Sequence, residues 1–67
     1  MRPTDEELAL RAAIALDESA EAYRYRPRAQ GPRQRVTEAL DAGERPRLED
    51  VRWLEQVARF GFPDDPS

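Results

Sequence analysis

Apolar residues recur at the three- and four-residue spacing of α-helices, in three stretches divided by proline and glycine. In the first stretch Leu8, Ala12, Leu16, Ser19 and Tyr23 share one arc, flanked by Ala9, Ala15 and Ala20. Thr4 followed three residues later by Glu7 has the form of a capping box, and Asp5 and Glu6 complement the positive end of a helix dipole. The helix is therefore expected to begin at Asp5. Pro27 disfavours helical backbone at Arg26 and sets the stop near Tyr25. On the opposite side Leu10 and Ile14 lie one turn apart, with Tyr25 near the same azimuth and Asp17, Glu18 and Glu21 interrupting the stripe.

Residues 26–34 contain two prolines and a glycine and read as an irregular basic loop. A short second helix is expected to start with Gly31 or Pro32 near its first position and run to Ala42. It presents Val36, Ala39 and Leu40, and Gly43 follows in a left-handed conformation. The third stretch is the most apolar. Pro46 suits the first turn of a helix running to Phe60, with Phe60, Trp53 and Val57 on one flank and Leu54, Ala58 and Val51 on the other. Gly61 should end it in a Schellman motif, bringing Phe62 against Val57. No stretch alternates with the period of a strand, and no repeat is visible. The expected fold is all-α: one small three-helix domain over 1–67, with a long first helix, a short second and an apolar third. Residues 1–4 and 64–67 are expected to fray, and the domain is open to completion as a homodimer.

Composition sharpens this picture. Leu, Ile, Val and Phe fill 12 of 67 positions, a share below the level of about 20% at which burial becomes hard to sustain. A single core in so short a chain rarely supplies more than about 3–5 kcal/mol, and there is no cysteine for a disulfide. No apolar run has the length of a signal sequence or a membrane span, so a cytoplasmic location with no membrane partner is expected. All 11 basic residues are arginine, which suits a GC-rich coding genome. The net charge of −3 hides an acid, base, acid order: residues 1–22 carry −4, residues 23–35 carry +5 and the remainder −4.

Without His, Cys or Lys there is no thiolate or imidazole metal site and no nucleophile with a neutral base. Asp17, Glu18 and Glu21 read as a solvated face, and Asp64 with Asp65 fall short of the ligand count of a hard cation. No enzyme activity, cofactor or metal is expected. The run Tyr23-Arg24-Tyr25-Arg26-Pro27-Arg28, followed by Arg33 and Arg35, could stack on bases and hold phosphates, meet an acidic protein surface, or simply solvate a loop while Tyr23 closes the core. The two later helices invite comparison with a helix-turn-helix over 32–60, but Glu49 and Asp50 would stand beside Arg47 and Arg52 on the exposed start of its second helix and cancel them.

The surplus of apolar helix surface points instead to a non-enzymatic interaction module, an adaptor, inhibitor or regulator. Its partner is another protein or a second copy of the chain. Leu10, Ile14 and Trp53 are the expected anchors, with Tyr25 beside them and Arg24, Arg26 and Arg28 fixing orientation. Nucleic-acid binding through segment 23–35 or the helix pair is the alternative.

Overall fold

The computed structural model describes residues 4–62, so the expected fraying of 1–3 and 64–67 and the Asp64 and Asp65 pair lie outside the described residues, while Thr4, expected among the frayed residues, is held as the cap of the first helix. Three helices follow in order, α1 (Asp5–Arg24), α2 (Gly31–Asp41) and α3 (Leu48–Phe60), and no strand occurs among the described residues. The domain is all-α, with a long first and a short second helix, as the periodicity indicates. None of the helices is long and apolar enough to cross a membrane.

The start of α1 follows from the capping box: Thr4 Oγ1 accepts from the Glu7 amide at 3.1 Å, and Glu7 Oε2 accepts from the Thr4 amide at 3.3 Å. Two amides left over at the helix start are thereby satisfied. The buried face reads Leu8, Ala12, Ala15, Ser19 and Tyr23. It is turned slightly from the expected arc, since Ala15 is buried where Leu16 is only half-buried and Ala20 is exposed. The cause is α3, the main neighbour of α1. Arg11 reaches across the two helices to Glu55, with Nε donating to Oε2 at 3.2 Å and Nη2 donating to Oε1, so α3 also lies along the Arg11 side of α1. Ala12, Ala15 and Ser19 are small, so the backbones can approach closely.

The helices run up, down and up. Arg45, just before α3, pairs with Asp5 at the start of α1 at 3.3 Å, while Phe62, just after α3, meets Tyr23 at its end. Hence α1 and α3 run in the same sense, with the antiparallel α2 between their ends. Val51, Leu54 and Val57 of α3 and Val36 of α2 complete the core.

Helix boundaries differ from expectation in three places. α2 starts at Gly31 and Gly43 follows it at φ 69°, both as expected, but residues 31–34 are then helix, so the basic loop expected over 26–34 covers only 25–30, and α2 stops at Asp41, one residue short of Ala42. Pro46 is not in the first turn of α3. It is buried one residue ahead of the cap Arg47, whose extended backbone (ψ 132°) turns the chain into the helix and whose carbonyl accepts the Val51 amide at 3.1 Å. Finally, Gly61 has the expected positive φ of 79°, but its ψ of −175° is extended, not the left-handed helical value of a Schellman ending. The Gly61 amide still donates to the Val57 carbonyl at 2.9 Å, yet the chain leaves straight, carrying Phe62 to Tyr23 and Trp53 instead of back toward Val57.

That backbone region is open essentially to glycine alone. Space is no obstacle, because a Cβ at Gly61 would meet nothing within 4 Å, so the penalty of a side chain there is purely conformational. Gly61→Ala should therefore destabilise by about 1–3 kcal/mol, seen as a lower Tm in thermal unfolding followed by circular dichroism, whereas Gly31→Ala, at an ordinary backbone angle and also in open space, should not.

Candidate functional site

Tyr23 is the point at which all three helices meet. It is buried at the end of α1, its ring stands edge-on to Phe62 with centroids 5.0 Å apart, and its hydroxyl accepts from Trp53 Nε1 at 3.2 Å. The Arg33 guanidinium of α2 lies 5.6 Å from its ring centroid. Arg33 Nε is enclosed there with no hydrogen-bond partner among the described residues, so the ring face is what offsets its lost hydration. Phe62 carries a second cation, Arg26, 4.6 Å from its centroid. Two arginines thus bracket two rings, and Trp53 stands edge-on to Phe62 at 6.4 Å.

The basic run is divided by this arrangement. Arg26 and Arg33 lie on aromatic rings. Arg35 binds Asp50 through both carboxylate oxygens, at 3.1 Å from Nε and 3.0 Å from Nη2. Arg24 and Arg28 are exposed. Asp50 is therefore not on the exposed start of α3, as the helix-turn-helix comparison assumed. Its side chain is only 8% exposed, turned inward by the fork of Arg35.

Each expected anchor has a definite place. Leu10 and Ile14 stand on the outer face of α1 at 63% and 48% exposure, and α2 does not fold across them. Tyr25 is 78% exposed just beyond α1, separated from them by Asp17, Glu18 and Glu21. Trp53 does not join this stripe: half-buried against Tyr23 and Phe62, it lies about 140–180° around α1 from Leu10 and Ile14, as judged from the position of Tyr23 at 100° per residue. Phe60, expected on the packed flank of α3, is 77% exposed beside Glu18, Glu55 and Arg59. The buried arc of α3 is centred on Leu54, and Phe60 falls outside it.

An open groove of about 460 Å³ runs along the aromatic cluster, lined by Tyr23, Arg26, Ala29, Gly31, Pro32, Trp53 and Phe62. Arg26 and Trp53 are the two expected site residues that it brings together. Pro32 and Phe62 complete it and were not recognisable as site residues, since one reads as a helix-start proline and the other as a helix-end contact. The groove combines aromatic and proline walls with the Arg26 guanidinium, while the α1 stripe has two aliphatic side chains in an acidic setting. Neither holds a nucleophile with a base. The fold and these surfaces define a small three-helix domain with an arginine-rimmed aromatic cleft. Comparison with known protein families, with curated proteins and with solved structures finds no match to this chain.

Hydrogen bonding to Asp50 raises the pKa of Arg35, with further help from the opposite charge. A cation whose pKa rises on folding contributes stability below its unfolded value and loses it only as pH climbs through the folded one. For arginine both lie in strong alkali, so from this side the pair holds across the neutral range. Its two partners differ in exposure, and the cost of breaking it should differ accordingly. Arg35→Ala leaves a carboxylate enclosed without its cation and should lower Tm more than Asp50→Asn, which leaves Arg35 to water. Tyr23→Phe deletes the acceptor of Trp53 Nε1 and should cost about 0.5–1.5 kcal/mol, read as a lower midpoint in urea with an unchanged m-value.

Proposed function

We propose that this chain is a non-enzymatic interaction module, an adaptor, inhibitor or regulator acting in the cytoplasm, which docks a partner protein on the outer face of α1. The observation that carries this reading is the exposure of Leu10 and Ile14 one turn apart after the core has closed without them. Helices commonly present docking anchors at this spacing, and apolar side chains grouped on a surface mark contact sites more often than isolated ones do. Glu7, Asp17, Glu18 and Glu21 surround the pair and are exposed, whereas Arg11 is occupied by Glu55. The surface opposite must therefore offer an apolar cleft with a basic rim.

The nucleic-acid reading gains one observation. With Asp50 drawn onto Arg35, the start of α3 exposes Arg47 and Arg52 against Glu49 alone. It loses more than it gains: Arg33 and Arg35 are engaged within the fold, Arg45 pairs with Asp5, and the connection 42–47 is longer than the three- or four-residue turn of a helix-turn-helix.

A photo-crosslinking amino acid at position 10 should capture a partner that the same group at exposed Gln56 does not. The purified partner should bind the Leu10→Arg/Ile14→Arg variant at least about tenfold more weakly than wild type, with unfolding free energy changed by no more than surface substitutions usually allow, about 0.5 kcal/mol. Equal binding by the variant would remove the reading. Duplex and single-stranded oligonucleotides at low salt should give no binding; affinity whose salt slope falls by about one on Arg47→Ala would move the assignment to nucleic acid.

A further inference from the structure

Phe62 is a wall of the aromatic groove, and the sequence continues from it as Pro63-Asp64-Asp65-Pro66-Ser67. A proline disfavours helical backbone at the residue before it, so the chain does not wind on from α3 at Phe62. Two features of these five residues answer the chemistry of the groove. Pro63 and Pro66 have the Pro-x-x-Pro spacing that sets two rings on one side of a polyproline II helix, with its three residues per turn. Aromatic-lined grooves are the surfaces that take such segments, and this one is lined by Tyr23, Trp53 and Phe62 together with Pro32. The residues between the two prolines are both acids, whereas Arg26 is the one charged group among the described lining residues. Its guanidinium lies 4.6 Å from the Phe62 ring centroid. Asp64 is two residues beyond Phe62, about 7 Å of extended chain at most, which puts its carboxylate within reach of that guanidinium. The tether also selects the occupant, because a short covalent link holds a segment at an effective concentration of millimolar order, above that of any second copy in dilute solution.

We infer that residues 63–67 of the same chain occupy the aromatic groove. The two prolines lie on its aromatic wall, and Asp64 or Asp65 meets Arg26. The segment then works as a strap that fastens the end of α3 to the loop 25–30 and keeps water from Trp53. It is independent of Leu10 and Ile14, which stand on the far side of α1, so either inference can fail without the other.

The absence of cysteine from the sequence makes a direct test available. Ser67→Cys is combined in one variant with Ala29→Cys, at an exposed position lining the groove, and in a second with Arg59→Cys, exposed in the last turn of α3. Position 59 is only three residues before Phe62, so a segment that did not dock would meet it at least as often as position 29. Circular dichroism establishes that both variants fold. Under mild oxidation of dilute protein, the intramolecular disulfide between positions 29 and 67 should form at least about tenfold faster than that between 59 and 67, because docking raises the effective concentration of one pair and lowers that of the other. Mass spectrometry reads both rates. Adding Asp64→Arg/Asp65→Arg to the first variant should slow the 29 to 67 bond several-fold. The same pair of substitutions in the otherwise unaltered chain should make Trp53, its single tryptophan, easier to quench with acrylamide. A 29 to 67 bond that forms no faster than the 59 to 67 bond, or that links two chains instead of closing within one, would overturn the inference. So would Asp64→Arg/Asp65→Arg variants whose oxidation rate and quenching match those of their parents.

Discussion

The closure of this bundle depends on how the Tyr23 ring is enclosed. Its neighbours come from every part of the fold: Phe62 from beyond α3, Trp53 from within α3 and Arg33 from α2. Apart from Leu8 and the half-buried Leu16, the rest of the packed face of α1 is alanine and serine, which allow close approach but bring little apolar area of their own. A large ring at the last turn compensates, since an aromatic side chain buries more surface than any aliphatic one and rewards edge-on geometry with about 0.5–1.5 kcal/mol beyond that burial. The hydroxyl then gives Trp53 an acceptor, which fixes the indole on one side of the cluster and leaves its other edge to form the groove.

The same scarcity of aliphatic residues explains why arginine is used as a structural residue. A guanidinium is planar and weakly hydrated, so it can lie on a ring face at a smaller desolvation cost than an ammonium would carry. Arg26 on Phe62 and Arg33 on Tyr23 exploit this, while Arg35 uses the fork geometry of the group to hold Asp50. A run that looks in isolation like a phosphate-binding stripe is thus largely the lining of a small fold, with Arg24 and Arg28 exposed at its surface.

Features governed by local rules were legible along the chain. The capping box at Thr4 and Glu7, the positive φ of Gly43 and Gly61, and the burial of Leu8, Ala12 and Tyr23 each follow from residues within a turn or two of one another. What escaped is set by distance. Arg35 and Asp50 are fifteen residues apart on different helices, and no periodicity announces that Asp50 points inward. Phe62 illustrates the competition between scales, because the local signal after Gly61 favoured a return to Val57, whereas the rings of Tyr23 and Trp53 offered a better site and an extended ψ reached it. Of the site, the exposure of Leu10 and Ile14 was readable as a second stripe on an amphipathic helix. The groove was not, since its walls come from three separated stretches of the chain, 23–32, Trp53 and Phe62.

The small core and the exposed stripe have one origin. A helix of 20 residues needs a neighbour along only one arc, and α2, at 11 residues, already spans the gap between the ends of α1 and α3 in covering another side of the bundle. It has no length left to wrap the back of α1, where Leu10 and Ile14 lie. A polar pair at those positions would leave the core intact, because neither side chain is part of it. Core packing therefore does not explain their aliphatic character, and the exposed acids Glu7, Asp17, Glu18 and Glu21 keep the face around them hydrated.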